Sequence, residues 1–135
     1  MVLLKKFPYK YLDYEIELMY REIKTFFPEA NIDETKKGIA IANINKEHYP
    51  LLERLTYIER FEYEGQSEYT LQAKLESTAS GTHNKQQTRY SSNGLHEYKG
   101  KFNPQIVRGL LNVLGINEGM NVVDPFCGSG TTLLE

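Results

Sequence analysis

The residues best suited to chemistry lie in the string Asp124-Pro-Phe-Cys-Gly-Ser-Gly-Thr-Thr132. Gly128 and Gly130 can take backbone angles denied to other residues, so a ligand can rest directly against main chain there. Thr131 and Thr132 begin a helix, whose unpaired N–H groups favour acceptors or negative charge. Ahead of the turn, Met120-Asn-Val-Val-Asp124 reads as a short strand. Strand, glycine turn and helix together form the opening unit of a Rossmann-type cofactor site. A phosphate-binding P-loop is excluded, because no Gly-Lys-Ser/Thr follows the turn.

The whole string is more specific than Gly-x-Gly. It closely resembles the AdoMet-binding motif of methyltransferases that modify exocyclic amines of nucleic-acid bases, above all the DNA N4-cytosine/N6-adenine family, whose motif reads Asp-Pro-Phe-x-Gly-Ser-Gly-Thr-Thr. The resemblance implies S-adenosyl-L-methionine (AdoMet) as cofactor. It puts Asp124 and the following turn against the methionine part of AdoMet and lets the cofactor pass at Gly128 and Gly130. Pro125, Phe126 and Thr131 complete that side of the site. A second stretch, His96-Glu-Tyr-Lys-Gly-Lys-Phe-Asn-Pro-Gln-Ile106, is similar to the His-x-Tyr-x-x-Lys-Phe-x-Pro-Gln-Ile segment that precedes the motif in some of these enzymes. It implies a far wall of the pocket, with Lys101 meeting the cofactor carboxylate and Phe102 packing on it. Glu97 and Lys99 stand where prolines are frequent in the family. Read without the resemblance, the stretch is an amphipathic support for the next helix. The two motifs span residues 95–135, under a third of the chain.

The same family acts through a later motif, Asp/Asn/Ser-Pro-Pro-aromatic, which orients the amine and stacks the target base. No Pro-Pro pair occurs among the five prolines. The expectation is therefore an N-terminal part of a methyltransferase, inactive alone, with no catalytic residue of its own and weak or absent AdoMet affinity. A second polypeptide is a candidate source of the rest. Cys127, inside the turn, reads as a small packing residue and not a nucleophile. His48 and His83 read as solvated or capping residues, and no metal site is expected.

The elements that must position these residues come earlier in the chain. Apolar residues at Leu12, Ile16, Met19, Ile23 and Phe26 have helical spacing, and Pro28 closes that helix. Strands are expected near Val2–Tyr11, over Ile39–Ile44 and over Tyr57–Tyr63, with a second helix capped by Asn45. The order strand, helix, strand, helix, strand suggests a small ferredoxin-like α+β layer over residues 1–64. Residues 65–94 read as a polar linker, with Tyr69, Leu71 and Leu75 as candidates for an edge strand. Residues 95–135 then read as the truncated start of a Rossmann-like α/β methyltransferase domain. There, Asn103-Pro104 opens a helix with the apolar stripe Ile106, Val107, Leu110, Leu111 and Leu114, and Gly115 stops it.

Composition sets the outer limits. With 135 residues, 40% hydrophobic and 25% charged, the chain has the balance of a soluble globular protein. No apolar run is long enough for a membrane span, and the N-terminus lacks the order of an export signal. One cysteine and no export signal make the cytoplasm the default location. The net charge of −2 is unevenly spread: residues 74–108 carry six Lys/Arg against two Glu, a local net of +4. Such a segment can attract a polyanion or be a solvated linker. Three functions compete: part of a DNA amino-methyltransferase, part of a tRNA guanine-N2 methyltransferase with an N-terminal RNA-binding domain, or a non-catalytic nucleic-acid-binding module. Nucleic acid is the expected partner, DNA ahead of RNA, and no membrane.

Overall fold

The computed structural model describes residues 1–79, 86–95 and 100–135. His83, His96, Glu97, Tyr98 and Lys99 lie outside the described residues. β1 (Val2–Lys5), β2 (Asn31–Thr35), β3 (Gly38–Ala42), β4 (Arg60–Tyr63) and β5 (Gln66–Tyr69) form one sheet in the order β2-β3-β1-β4-β5. Every neighbouring pair is antiparallel. The first α-helix, α1 (Asp13–Phe26), links β1 to β2, and β3 lies between those two strands, which is a split β-α-β layout.

α1 begins where the Glu15 carboxylate accepts a 2.7 Å hydrogen bond from the Leu12 N–H, satisfying a donor that the helix leaves free. Met19, Ile23 and Phe26 recur at helical spacing and enter one core with Val2, Leu4, Ile39, Ile41 and Phe61 from alternate positions of the strands. Leu12 and Ile16, expected on that face, are exposed. The segment after Asn45 is a 3-10 helix, Lys46–Arg54, and Asn45 Oδ1 accepts from the Glu47 N–H at its start. Pro50 sits in its middle and has no N–H to give an α-helical bond.

β2 has no signature in the sequence. Asn31-Ile-Asp-Glu-Thr35 carries one large apolar residue and sits exposed at the sheet edge. Its hairpin to β3 is fixed instead by Gly38, whose φ is +141° and where an added Cβ would lie 2.3 Å from the Leu4 carbonyl oxygen.

Structure also extends into residues 65–94, read as linker. Glu64 and Gly65 both have positive φ, as a two-residue hairpin turn requires, and they join β4 to β5. Thr70 then caps α2 (Leu71–Glu76), its Oγ1 accepting from the Ala73 N–H and donating to the Ile58 carbonyl. Of the residues expected in an edge strand, Tyr69 lies in β5, whereas Leu71 and Leu75 are helical. Ser91–Gly94 forms a second 3-10 helix.

α3 (Pro104–Val113) starts at Asn103, whose Oδ1 accepts from the Gln105 N–H, and α4 (Thr131–Leu134) follows the glycine turn. Of its apolar stripe α3 fully buries only Val107. Gln105, Val107, Gly109 and Asn112 face inward, whereas Leu110 and Leu114 are exposed. The reason is a polar seam against α1. Asn112 Nδ2 donates to Glu22 Oε1 at 2.7 Å and to the Arg54 carbonyl at 2.8 Å, while the Thr56 N–H also donates to Glu22. Arg54 returns across the seam to Asn117 Oδ1 and the Ile116 carbonyl. The strand expected over Met120–Asp124 does not form. No described strand lies beside it to take its hydrogen bonds, and Val122 and Val123 are exposed. No described helix is long and apolar enough to cross a membrane.

Candidate functional site

The glycine turn is built around Asp124. Its Oδ1 accepts from the Phe126 N–H at 3.0 Å and its Oδ2 from Thr132 Oγ1 at 2.6 Å, so one carboxylate spans the turn and the helix behind it. Between these points Gly130 N–H donates to the Cys127 carbonyl at 2.7 Å. Gly128 and Gly130 have φ of +52° and +78°, in the left-handed region that L side chains enter at a cost. A Cβ on Gly128 would meet nothing closer than the Phe126 carbonyl oxygen at 3.9 Å, so the space in front of the turn is open.

That space is a cavity of about 400 Å³, of the size that holds small-molecule ligands. Phe102 forms one wall; Asp124, Phe126, Gly128 and Thr131 come from the turn, and Val107, Leu110 and Leu111 of α3 form an apolar floor. Phe102 and the Asp124–Thr132 turn, over twenty residues apart in sequence, therefore line a single cavity. Thr131 Oγ1 is buried and has no hydrogen-bond partner among the described residues.

Pro125, Gly130 and Lys101 do not line the cavity. Lys101 Nζ donates to the Asn93 carbonyl at 2.5 Å. Cys127, expected to pack inside, is exposed and lines the cavity. Sequence reasoning also missed Leu110 and Leu111, although their spacing from Val107 puts all three on one side of α3. Among the described basic residues of 74–108, Lys74 pairs with Glu53 at 3.5 Å and Arg108 with Glu135 at 2.6 Å.

A larger cavity of about 570 Å³ lies between β5 and α2, where Glu59, Glu68 and Glu76 outnumber Lys74. It contains no glycine turn and neither motif. The smaller cavity is the better candidate, because it unites exposed main chain, an oriented carboxylate and an unpartnered hydroxyl.

Residues 94–135 match the UPF0020 family, described as RMKL-like, methyltransferase domain. These residues carry methyltransferase sequence. The methyltransferase segment is 52% identical over 42 residues to the Type II methyltransferase M.MjaII of Methanocaldococcus jannaschii, a match covering 31% of this chain and 8% of that protein. It is 40% identical over 38 residues to the tRNA (guanine(10)-N2)-dimethyltransferase of Methanothermobacter thermautotrophicus, covering 28% of this chain and 11% of that protein. The chain thus spans about a tenth of the length of the curated relatives it matches. No solved structure matches at the same level.

Proposed function

We propose that residues 95–135 are the cofactor-binding start of a Rossmann-like, AdoMet-dependent methyltransferase acting on an exocyclic amine of a nucleic-acid base. The observation that carries this reading is the single cavity shared by Phe102 and the Asp124–Thr132 turn. Its chemistry suits AdoMet: bare main chain at Gly128, an unpartnered Thr131 hydroxyl for a polar group of the cofactor, and apolar α3 and Phe102 for its flat base. When bound, AdoMet supplies an electrophilic methyl group on sulfur. Asp124 contributes by holding the turn open, since both its oxygens are already engaged within it. Affinity is weak in this chain, because Phe102 is 57% and Phe126 92% exposed and a ligand there keeps much of its surface in water.

The substrate is the finer question. The wording of the turn favours a site-specific DNA amino-methyltransferase. The antiparallel α/β layer packed on α3 favours the second reading, a tRNA guanine-N2 methyltransferase with an RNA-binding N-terminal domain, since enzymes of that kind carry such a layer before the same turn. Labelled AdoMet, offered with duplex DNA and with tRNA to the whole natural polypeptide, separates the two. Label in DNA supports the first reading, and label in tRNA the second. A protein that binds AdoMet at neither wall of the cavity overturns both.

A further inference from the structure

We propose that Glu135 is a positioning residue of this cavity, its buried carboxylate fixing the two walls relative to each other. The inference rests on the cofactor reading above. The Glu135 side chain is 1% exposed, and donors reach it from elements that are separate in sequence. Arg108 of α3 donates a hydrogen bond from Nε to Oε2 at 2.9 Å and forms an ion pair with the same oxygen through Nη2 at 2.6 Å. Asn93 of the second 3-10 helix donates to Oε1 at 2.6 Å, and Tyr90 Oη approaches the same oxygen at 3.4 Å.

The connections lead to both walls. Glu135 follows α4, which extends directly from the glycine turn, and the Asn93 carbonyl holds Lys101, the residue before Phe102. Arg108 ties the same carboxylate to the floor, one residue after Val107. A buried carboxylate with an arginine on one oxygen and an amide donor on the other has a defined geometry, so it fixes spacing. Lys101, in this arrangement, sets the position of Phe102 instead of meeting the cofactor.

Cys127 offers a local readout, being the one cysteine of the chain and part of the cavity lining. AdoMet should protect the Cys127 thiol from alkylation by iodoacetamide, and the concentration giving half-protection reports occupancy of the cavity. In Glu135→Ala that concentration should rise at least tenfold. Glu135→Gln, which keeps an acceptor for Asn93, should fall between. Asn93→Ala leaves the Arg108 pair intact and should also raise the concentration several-fold, without lowering the thermal midpoint of the sheet layer. Half-protection of all three variants at the wild-type concentration overturns the positioning role. Alkylation of the wild type that AdoMet never slows overturns the cofactor reading itself, and the inference falls with it.

Discussion

At the scale of single residues, Asp124 and Gly130 decide whether the turn keeps its shape. Asp124→Ala removes the acceptor for both Phe126 N–H and Thr132 Oγ1. It should weaken AdoMet protection of Cys127 at least tenfold, whereas Asp124→Asn, which retains one acceptor oxygen, should lose less. Gly130→Ala meets only Leu133 Cδ1 at 4.0 Å, so its cost comes from the +78° φ and should be about 1–2 kcal/mol in local stability, read as faster amide exchange through α4. Glu22 gives a prediction of another kind. Burial pushes its carboxyl up to about 7, against the pull of hydrogen bonds from Thr56 and Asn112. The unfolded chain releases that proton near the ordinary value of 4.5, so the folded state holds it over the interval between. The contribution is complete below pH 4.5 and is lost as pH rises through about 7. Denaturant titrations should therefore show stability falling across this window by up to about 3 kcal/mol. Glu22→Gln should flatten the profile; an unchanged slope would remove Glu22 as its cause.

At the scale of elements, α3 joins the sheet layer to the cavity through its polar side. Gly109 lies against Tyr57, where an added Cβ would come within 3.0 Å of a buried ring carbon. Gly109→Ala gains about 1 kcal/mol of helix propensity but forces that ring to shift, at about 1–3 kcal/mol. Net loss of stability is expected, with exchange of α3 amides rising before that of the strands. Asn112→Ala should do the same more strongly, since it strips a donor from the buried Glu22 carboxylate. What was legible in the sequence follows from the same physics. α1 and β3 announced themselves because periodic apolar residues face a core, and α3 because Asn103-Pro104 and Gly115 mark its ends. β2 was silent and β5 was read only through Tyr69: edge strands held by hairpin turns need few apolar residues, and Gly38 and Glu64-Gly65 mark their turns. The buried side of α3 was misread because it docks by hydrogen bonds, which leave no hydrophobic period. Within the site, the glycine turn and Phe102 were legible as motifs. The engagement of Lys101 by Asn93 and the role of Glu135 depend on contacts that no local pattern encodes.

At the scale of the whole molecule, the two ends of the chain differ in surface. The sheet layer encloses its own core, but Leu114 is 70% and Val123 84% exposed, with Met120, Leu133 and Leu134 exposed nearby in sequence. Exposed apolar residues in such number promote association where they adjoin. Sedimentation should show self-association rising with concentration, and Val123→Lys should reduce it; a chain that stays monomeric with all amides of residues 95–135 protected would contradict this. The central claim is that Phe102 and the Asp124–Thr132 turn form one binding site for a sulfonium nucleoside. The most direct measurement is a titration of the isotope-labelled chain with AdoMet, followed residue by residue by NMR. Amide shifts should move together at Phe102, along Val107–Leu111 and through Asp124–Thr132, saturating weakly in the millimolar range. Shifts that stay still there, or that gather instead around Phe7 and Tyr69, would contradict the account.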